Sequence, residues 1–140
     1  LVSEKSFQDL KLHVEFNVPA HSNSGVYLRG LYEVQVEDTC GRPVANNICG
    51  AVYGQQAVCE NAAKPAGEWQ TFDITLKDNK ITVVHNGKKV IDAFEVKGVT
   101  GGALLPEQVK HGDPGPIMLQ GDHGEVSFRN IRIRPIATAL

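Results

Sequence analysis

The sequence predicts an all-β chain, an antiparallel sandwich or barrel, and three observations carry that expectation. Apolar and polar residues alternate in short runs, β-branched residues concentrate in those runs, and tight-turn residues separate them. No longer window carries the 3.6-residue apolar stripe of an amphipathic helix.

The clearest local pattern spans residues 72–96. Phe72-Asp73-Ile74-Thr75-Leu76 alternates as a strand with one wet face should, and Asp78-Asn79 offers a tight turn. Ile81 to His85 is β-branched and leads into Asn86-Gly87, a dipeptide that suits a type I′ hairpin because both central residues need positive φ. Residues 88–96 then return, which makes a three-stranded meander. Upstream, residues 10–18 alternate strictly and stop at Pro19, and residues 25–29 and 32–37 are two short strands hinged near Gly30. Residues 51–53 form a further short strand. Residues 116–120 and 125–134 are strands flanking Gly121-Asp122-His123-Gly124, and the apolar phase slips between Phe128 and Ile131, which calls for a bulge near Arg129-Asn130. Residues 62–67 and 98–115 are long loops, the second with a helical turn near 106–109. The whole, residues 1–140, is expected to be one domain.

Bulk composition narrows the partners. With 41% hydrophobic and 21% charged residues and a net charge of −2 over 140 residues, the chain gives no electrostatic reason to bind nucleic acid or an anionic membrane. Arg129, Arg132 and Arg134 lie on one terminal strand and suit a solvated face better than a phosphate track. No apolar run approaches the ~20 residues of a membrane-spanning helix. The chain opens on Leu1 rather than Met, the expectation for a processed protein or part of a longer one. Cys40, Cys49 and Cys59 share one turn-rich stretch without a C-x-x-C pair, so a structural zinc site has little support. One disulfide among them would suit an exported protein; three free thiols are the alternative.

Residues 22–38 carry the chemistry. In the second strand of that region Tyr32, Val34 and Val36 share one face, and Glu33, Gln35 and Glu37 share the other. Residues two apart on a strand stand roughly 7 Å apart, the spacing of successive sugar hydroxyls or of paired carboxylates. In the strand before it, Tyr27 and Arg29 share a face, so pairing of the two strands would set Arg29 beside Glu33 or Gln35. The plain alternative is a solvated face with weak cross-strand ion pairs. A Gln between two Glu, without Lys or Thr, is an unusual solvent face, and the turn around His123 is available to cap it.

These residues resemble a known family. The run Asn23-Ser24-Gly25-Val26-Tyr27-Leu28-Arg29-Gly30 followed by Tyr32-Glu33-Val34-Gln35-Val36 and Asp38 is similar to the signature of the 3-keto-disaccharide hydrolase domain family. Further blocks match in order: Gly50 to Gly54, Lys64-Pro65, Gly67-Glu68-Trp69, His85-Asn86-Gly87, Gly115-Pro116-Ile117, Gly121 to Gly124, and Phe128 to Pro135. The resemblance covers residues 2–136. It implies a concanavalin-like jelly roll in a secreted or periplasmic protein that cleaves glycosides whose sugar carries a ketone at carbon 3. Members of that family carry further strands ahead of the point matching Leu1, so the resemblance implies a jelly roll lacking those strands here. The three cysteines are not part of the signature.

A 3-keto group acidifies the hydrogen on carbon 2, and elimination then needs a base, a stabiliser of the enolate oxygen, and an acid for the leaving group. Glu33 is the expected base, Arg29 the enolate stabiliser and His123 the acid or base. Gln35, Glu37, Tyr53, Gln120 and Asp122 are expected ligand contacts. No cofactor and no metal are expected; a divalent cation held by Asp122, His123 and Glu33 is the alternative, since it would polarise the ketone. The partner is a carbohydrate. Two other readings stay open: a carbohydrate-binding module without catalysis, and a laminarinase-like glycosidase, whose paired carboxylates Glu33-x-Gln35-x-Glu37 partly resembles.

Overall fold

The computed structural model describes residues 1–100, 109–121 and 124–137. Nine strands follow one another: β1 (Val2–Phe7), β2 (Asp9–Asn17), β3 (Asn23–Leu28), β4 (Tyr32–Glu37), β5 (Trp69–Lys77), β6 (Lys80–His85), β7 (Lys88–Glu95), β8 (Gly115–Leu119) and β9 (Ser127–Ile136). They form two antiparallel sheets, one ordered β1-β8-β3-β4 and the other β7-β6-β5-β2-β9. Among the described residues no helix forms, and the two sheets make a sandwich.

The meander forms as its turn residues require. Asp78 and Asn79 have φ of 51° and 61°, and Asn86 and Gly87 have 50° and 82°, the positive values a type I′ turn needs. The predicted bulge is present too. Arg132 opposes His13 and Arg129 opposes Glu15, with Asn130 at a φ of 52°, so β9 spends an extra residue against β2. Phe128 and Ile133 thereby both pack against the core, whereas Ile131, expected on the core side with Phe128, is 42% exposed. Two elements differ from expectation. Residues 51–53 contribute only an isolated bridge, Val34 to Val52, and the strand Val2–Phe7 carries too few apolar residues to show a period. Of the expected helical turn, residues 106–108 lie outside the described residues.

The core is the interleaved inner faces: Leu10, Leu12, Val14 and Phe16 from β2, Phe72, Ile74 and Leu76 from β5, and Val26, Leu28, Val34 and Val36 from the facing sheet. His85 is fully buried among them, edge-on to Phe72, and its Nε2–H donates to Gln70 Oε1 at 2.9 Å. Burial, with the Lys64 charge adding to it, holds its pKa down near 4, so it stays neutral. All three cysteines are free, with Cys49 buried and Cys40 and Cys59 exposed.

Between β4 and β5 the chain wraps the edge of the four-stranded sheet. Gln35 N donates to Ala51 O, Gly50 N to Gln35 O, and Tyr53 N to Glu33 O, each at 2.9–3.0 Å. The edge that would otherwise expose the Glu33 strand is thus hydrogen-bonded along its length.

Candidate functional site

Strand parity sends Tyr32, Val34 and Val36 inward and Glu33, Gln35 and Glu37 to the opposite face of the sheet, as the alternation predicts. That face is not solvated. Glu33 is 4% exposed and Gln35 7% exposed. Register places Tyr27 directly across from Glu33, and Gly25 directly across from Gln35. A Cβ on Gly25 would overlap Glu33 Oε2, so the carboxyl group lies over Gly25 in space only a glycine leaves open.

Three groups hold that carboxyl. The Tyr27 hydroxyl hydrogen-bonds to it. With its amide nitrogen toward β3, Gln35 donates to Ser24 O at 3.0 Å and to Glu33 Oε2 at 3.2 Å. The opposite amide orientation trades these for two 3.4 Å contacts, with Glu37 Oε2 and Asn47 O, and satisfies the group less well. The third anchor is steric, from Gly25 itself. Burial pushes the Glu33 pKa up to about 7, against the Tyr27 hydrogen bond, which lowers it. Tyr27, desolvated and facing Glu33, is held well above the usual phenol range and remains a hydroxyl donor. Tyr53 adds to that upward push.

The remaining predicted contacts sort by position. Gln120 N donates to Gly25 O at 3.0 Å and Gln120 O accepts from Ser24 Oγ at 2.8 Å, which fixes the end of β8 against the floor of the site. Glu37 closes the outer end of the row, 3.9 Å from Arg42. Asp122 and His123 lie outside the described residues. Their described neighbour Gly124 packs against Ser22, where an added Cβ would overlap the serine side chain.

Arg29 does not belong to this site. β3 ends at Leu28, and Arg29, with Gly30, forms the turn at φ of 55° and 70°. Its fully buried guanidinium crosses to the other sheet, where Nε donates to Gln8 O at 2.8 Å, one terminal nitrogen to Asn79 Oδ1 at 2.6 Å, and the other meets Asp9 Oδ1 at 3.4 Å. The enolate-stabilising role expected of Arg29 is therefore corrected: the turn rotates it off the Glu33 face, and its donors are spent tying the two sheets together. Tyr27, Ser24 and Gly25 are the site residues that sequence reasoning passed over, although strand parity already put Tyr27 on the Glu33 face.

Among the described residues, no three His, Cys, Asp or Glu side chains converge on a metal-sized space. This face sets together a buried carboxyl whose pKa lies near 7, a phenol beside it, and the Gln35 amide and Ser24 hydroxyl along the same strands.

Residues 1–134 match the family described as the 3-keto-alpha-glucoside-1,2-lyase-like domain. The chain belongs to that family. It is a glycoside-acting domain of the hydrolase and lyase kind. Three crystal structures of putative glycosyl hydrolases from Parabacteroides distasonis ATCC 8503 share its fold. The first is 33% identical with a TM-score of 0.79, over 96% of this chain and 67% of its own. The second is 24% identical at a TM-score of 0.78, over 96% and 82%, and the third 19% identical at 0.69, over 97% and 76%. The last two speak to the fold alone. No curated protein matches the chain.

Gly25 supplies a direct test of the site's geometry. In Gly25→Ala the new methyl displaces the Glu33 carboxyl, the flexible end of a side chain, so the melting temperature should change by only a few degrees. Turnover should fall at least tenfold, because the displaced carboxyl loses its alignment. Unchanged kinetics would mean that the carboxyl over Gly25 takes no part in the reaction.

Proposed function

We propose that this domain cleaves glycosides whose ring carries a ketone at carbon 3, by elimination across carbons 1 and 2. The observation that carries the reading is the buried Glu33 carboxyl, whose pKa near 7 matches the working range of a general base. Family membership supports the substrate class. Glu33 takes the proton from carbon 2, the electron pair forms the carbon 1–carbon 2 double bond, and the glycosidic oxygen leaves carbon 1 with a proton from an acid. Tyr27 positions Glu33 and offers the neutral hydroxyl nearest to it. Gln35, Glu37, Tyr53 and Gln120 line the strip that holds the sugar. His123, in the segment between Gln120 and Gly124, is the acid in this proposal, and Asp122 a ligand contact.

The test compares a 3-keto-glucoside with the same glucoside unoxidised. Turnover of the ketone alone, with an unsaturated or rehydrated keto-sugar released, supports elimination. Equal turnover of both would mean a conventional glycosidase, and binding of both without turnover would mean a binding module.

A further inference from the structure

The outer face of the five-stranded sheet, on the far side of the molecule from Glu33, carries a groove of about 430 Å³ over β9, β2 and β5. Register assembles its charge. Lys11 directly opposes Arg134 and His13 directly opposes Arg132, so four basic side chains stand as two cross-strand rows. The rows are two residues apart, roughly 7 Å. Like charges set directly opposite on adjacent strands destabilise a sheet, and between Lys11 and Arg134 no acid offsets that repulsion among the described residues.

Their neighbours make the arrangement more pointed. Arg129, on the same strand, is satisfied: Nε donates to Glu15 Oε1 at 2.9 Å and its guanidinium stacks 3.8 Å over Trp69. Among the described residues Lys11, Arg132 and Arg134 have no ion-pair partner. Asp73 is the one carboxylate lining the groove, and it is engaged by His13 Nδ1 at 2.7 Å. Glu15 holds the other ring nitrogen at 3.0 Å, and together these carboxylates raise the His13 pKa. Thr75, opposite Lys11, adds a hydroxyl to the groove. A chain whose net charge is −2 thus gathers three uncompensated cations on one concave strip.

We propose that this groove binds anionic glycans, sugar polymers bearing sulfate or carboxylate groups, as a surface separate from the catalytic face. Spaced single anions on a sugar chain suit the Lys11–Arg134 pair and Arg132 about 7 Å along the strand from it. A nucleic acid suits them poorly. The sole tryptophan, Trp69, is covered by Arg129, and no aromatic ring lines the groove for a base to stack on.

The test titrates the protein with dextran sulfate, with alginate and with neutral dextran at low salt, by calorimetry and by the fluorescence of Trp69. Binding is expected for a polyanion and not for neutral dextran, and it should weaken as salt rises. The first two arms tell sulfate from carboxylate. The K11Q/R132Q/R134Q variant should bind at least tenfold more weakly while keeping its circular dichroism, and R134Q alone should show a smaller loss. Glu33→Gln should bind as the parent does. The proposal is overturned by failure of both polyanions to bind, by undiminished binding of the triple variant, by loss of binding in Glu33→Gln, or by duplex DNA binding more tightly than either glycan.

Discussion

Arg29→Ala is expected to destabilise the domain by about 3–5 kcal/mol, the cost of stripping one partner from a buried ion pair. Arg29 is fully buried and Asp9 is 2% exposed, so neither charge can turn to water when the other is lost. The substitution would leave Asp9 with only the Asp78 N–H at 3.3 Å, and its second oxygen already lacks a partner among the described residues. It would also orphan Gln8 O and Asn79 Oδ1, which now receive Arg29 at 2.8 and 2.6 Å. Arg29→Lys should recover little, because one ammonium on a flexible stem cannot satisfy three acceptors held in a planar fork. Urea unfolding monitored by circular dichroism gives the answer. A midpoint unchanged in Arg29→Ala, together with lost turnover, would return this residue to the chemistry.

Glu33→Gln is the second large effect, and it has a kinetic and a thermodynamic side. A base must be ionised, so kcat/KM of the parent should rise with pH through about 7 and then level. Removing the base should cost about 10²–10⁴-fold in rate and flatten that limb. The stability effect follows from linkage. The folded pKa of about 7 lies above the ordinary 4.5, so below pH 4.5 the group is protonated in both states and exerts no pull. Between 4.5 and 7 only the unfolded chain ionises, and the folded state loses stability as pH rises, until the loss levels off above 7. Glu33→Gln removes that loss. The variant should match the parent near pH 4 and melt higher than it at pH 8. A variant that melts lower at pH 8 would mean that the ionised carboxylate is stabilised where it lies, contrary to the burial argument.

Much of this architecture is written in local patterns, and the exceptions have physical causes. The meander of β5, β6 and β7 follows from alternation and two dipeptides that accept positive φ, and the β9 bulge follows from a one-residue slip in apolar phase. β1 left no pattern because an edge strand with one covered face can be built from polar residues. The polar row on β4 was legible as a face, yet its burial was not. That burial comes from a cross-strand tyrosine and from the segment around Ala51 to Tyr53, which has no period of its own. Arg29 was misplaced by a single position. Alternation extended β3 by one residue, whereas the chain turns at Arg29 and aims the side chain at the opposite sheet. A parity argument holds only while the strand does.

The wrapping of β4 by the segment around Ala51 also bears on what can approach the site. A polypeptide lying in extended form commonly attaches to such a surface by continuing the ladder from a bare rim. Here the amides of Gln35, Gly50 and Tyr53 are already spoken for. An extended protein chain therefore gains no ladder from this rim, and the side chains of the Glu33 face are left to choose their visitor, a task that suits a compact polyhydroxylated ring.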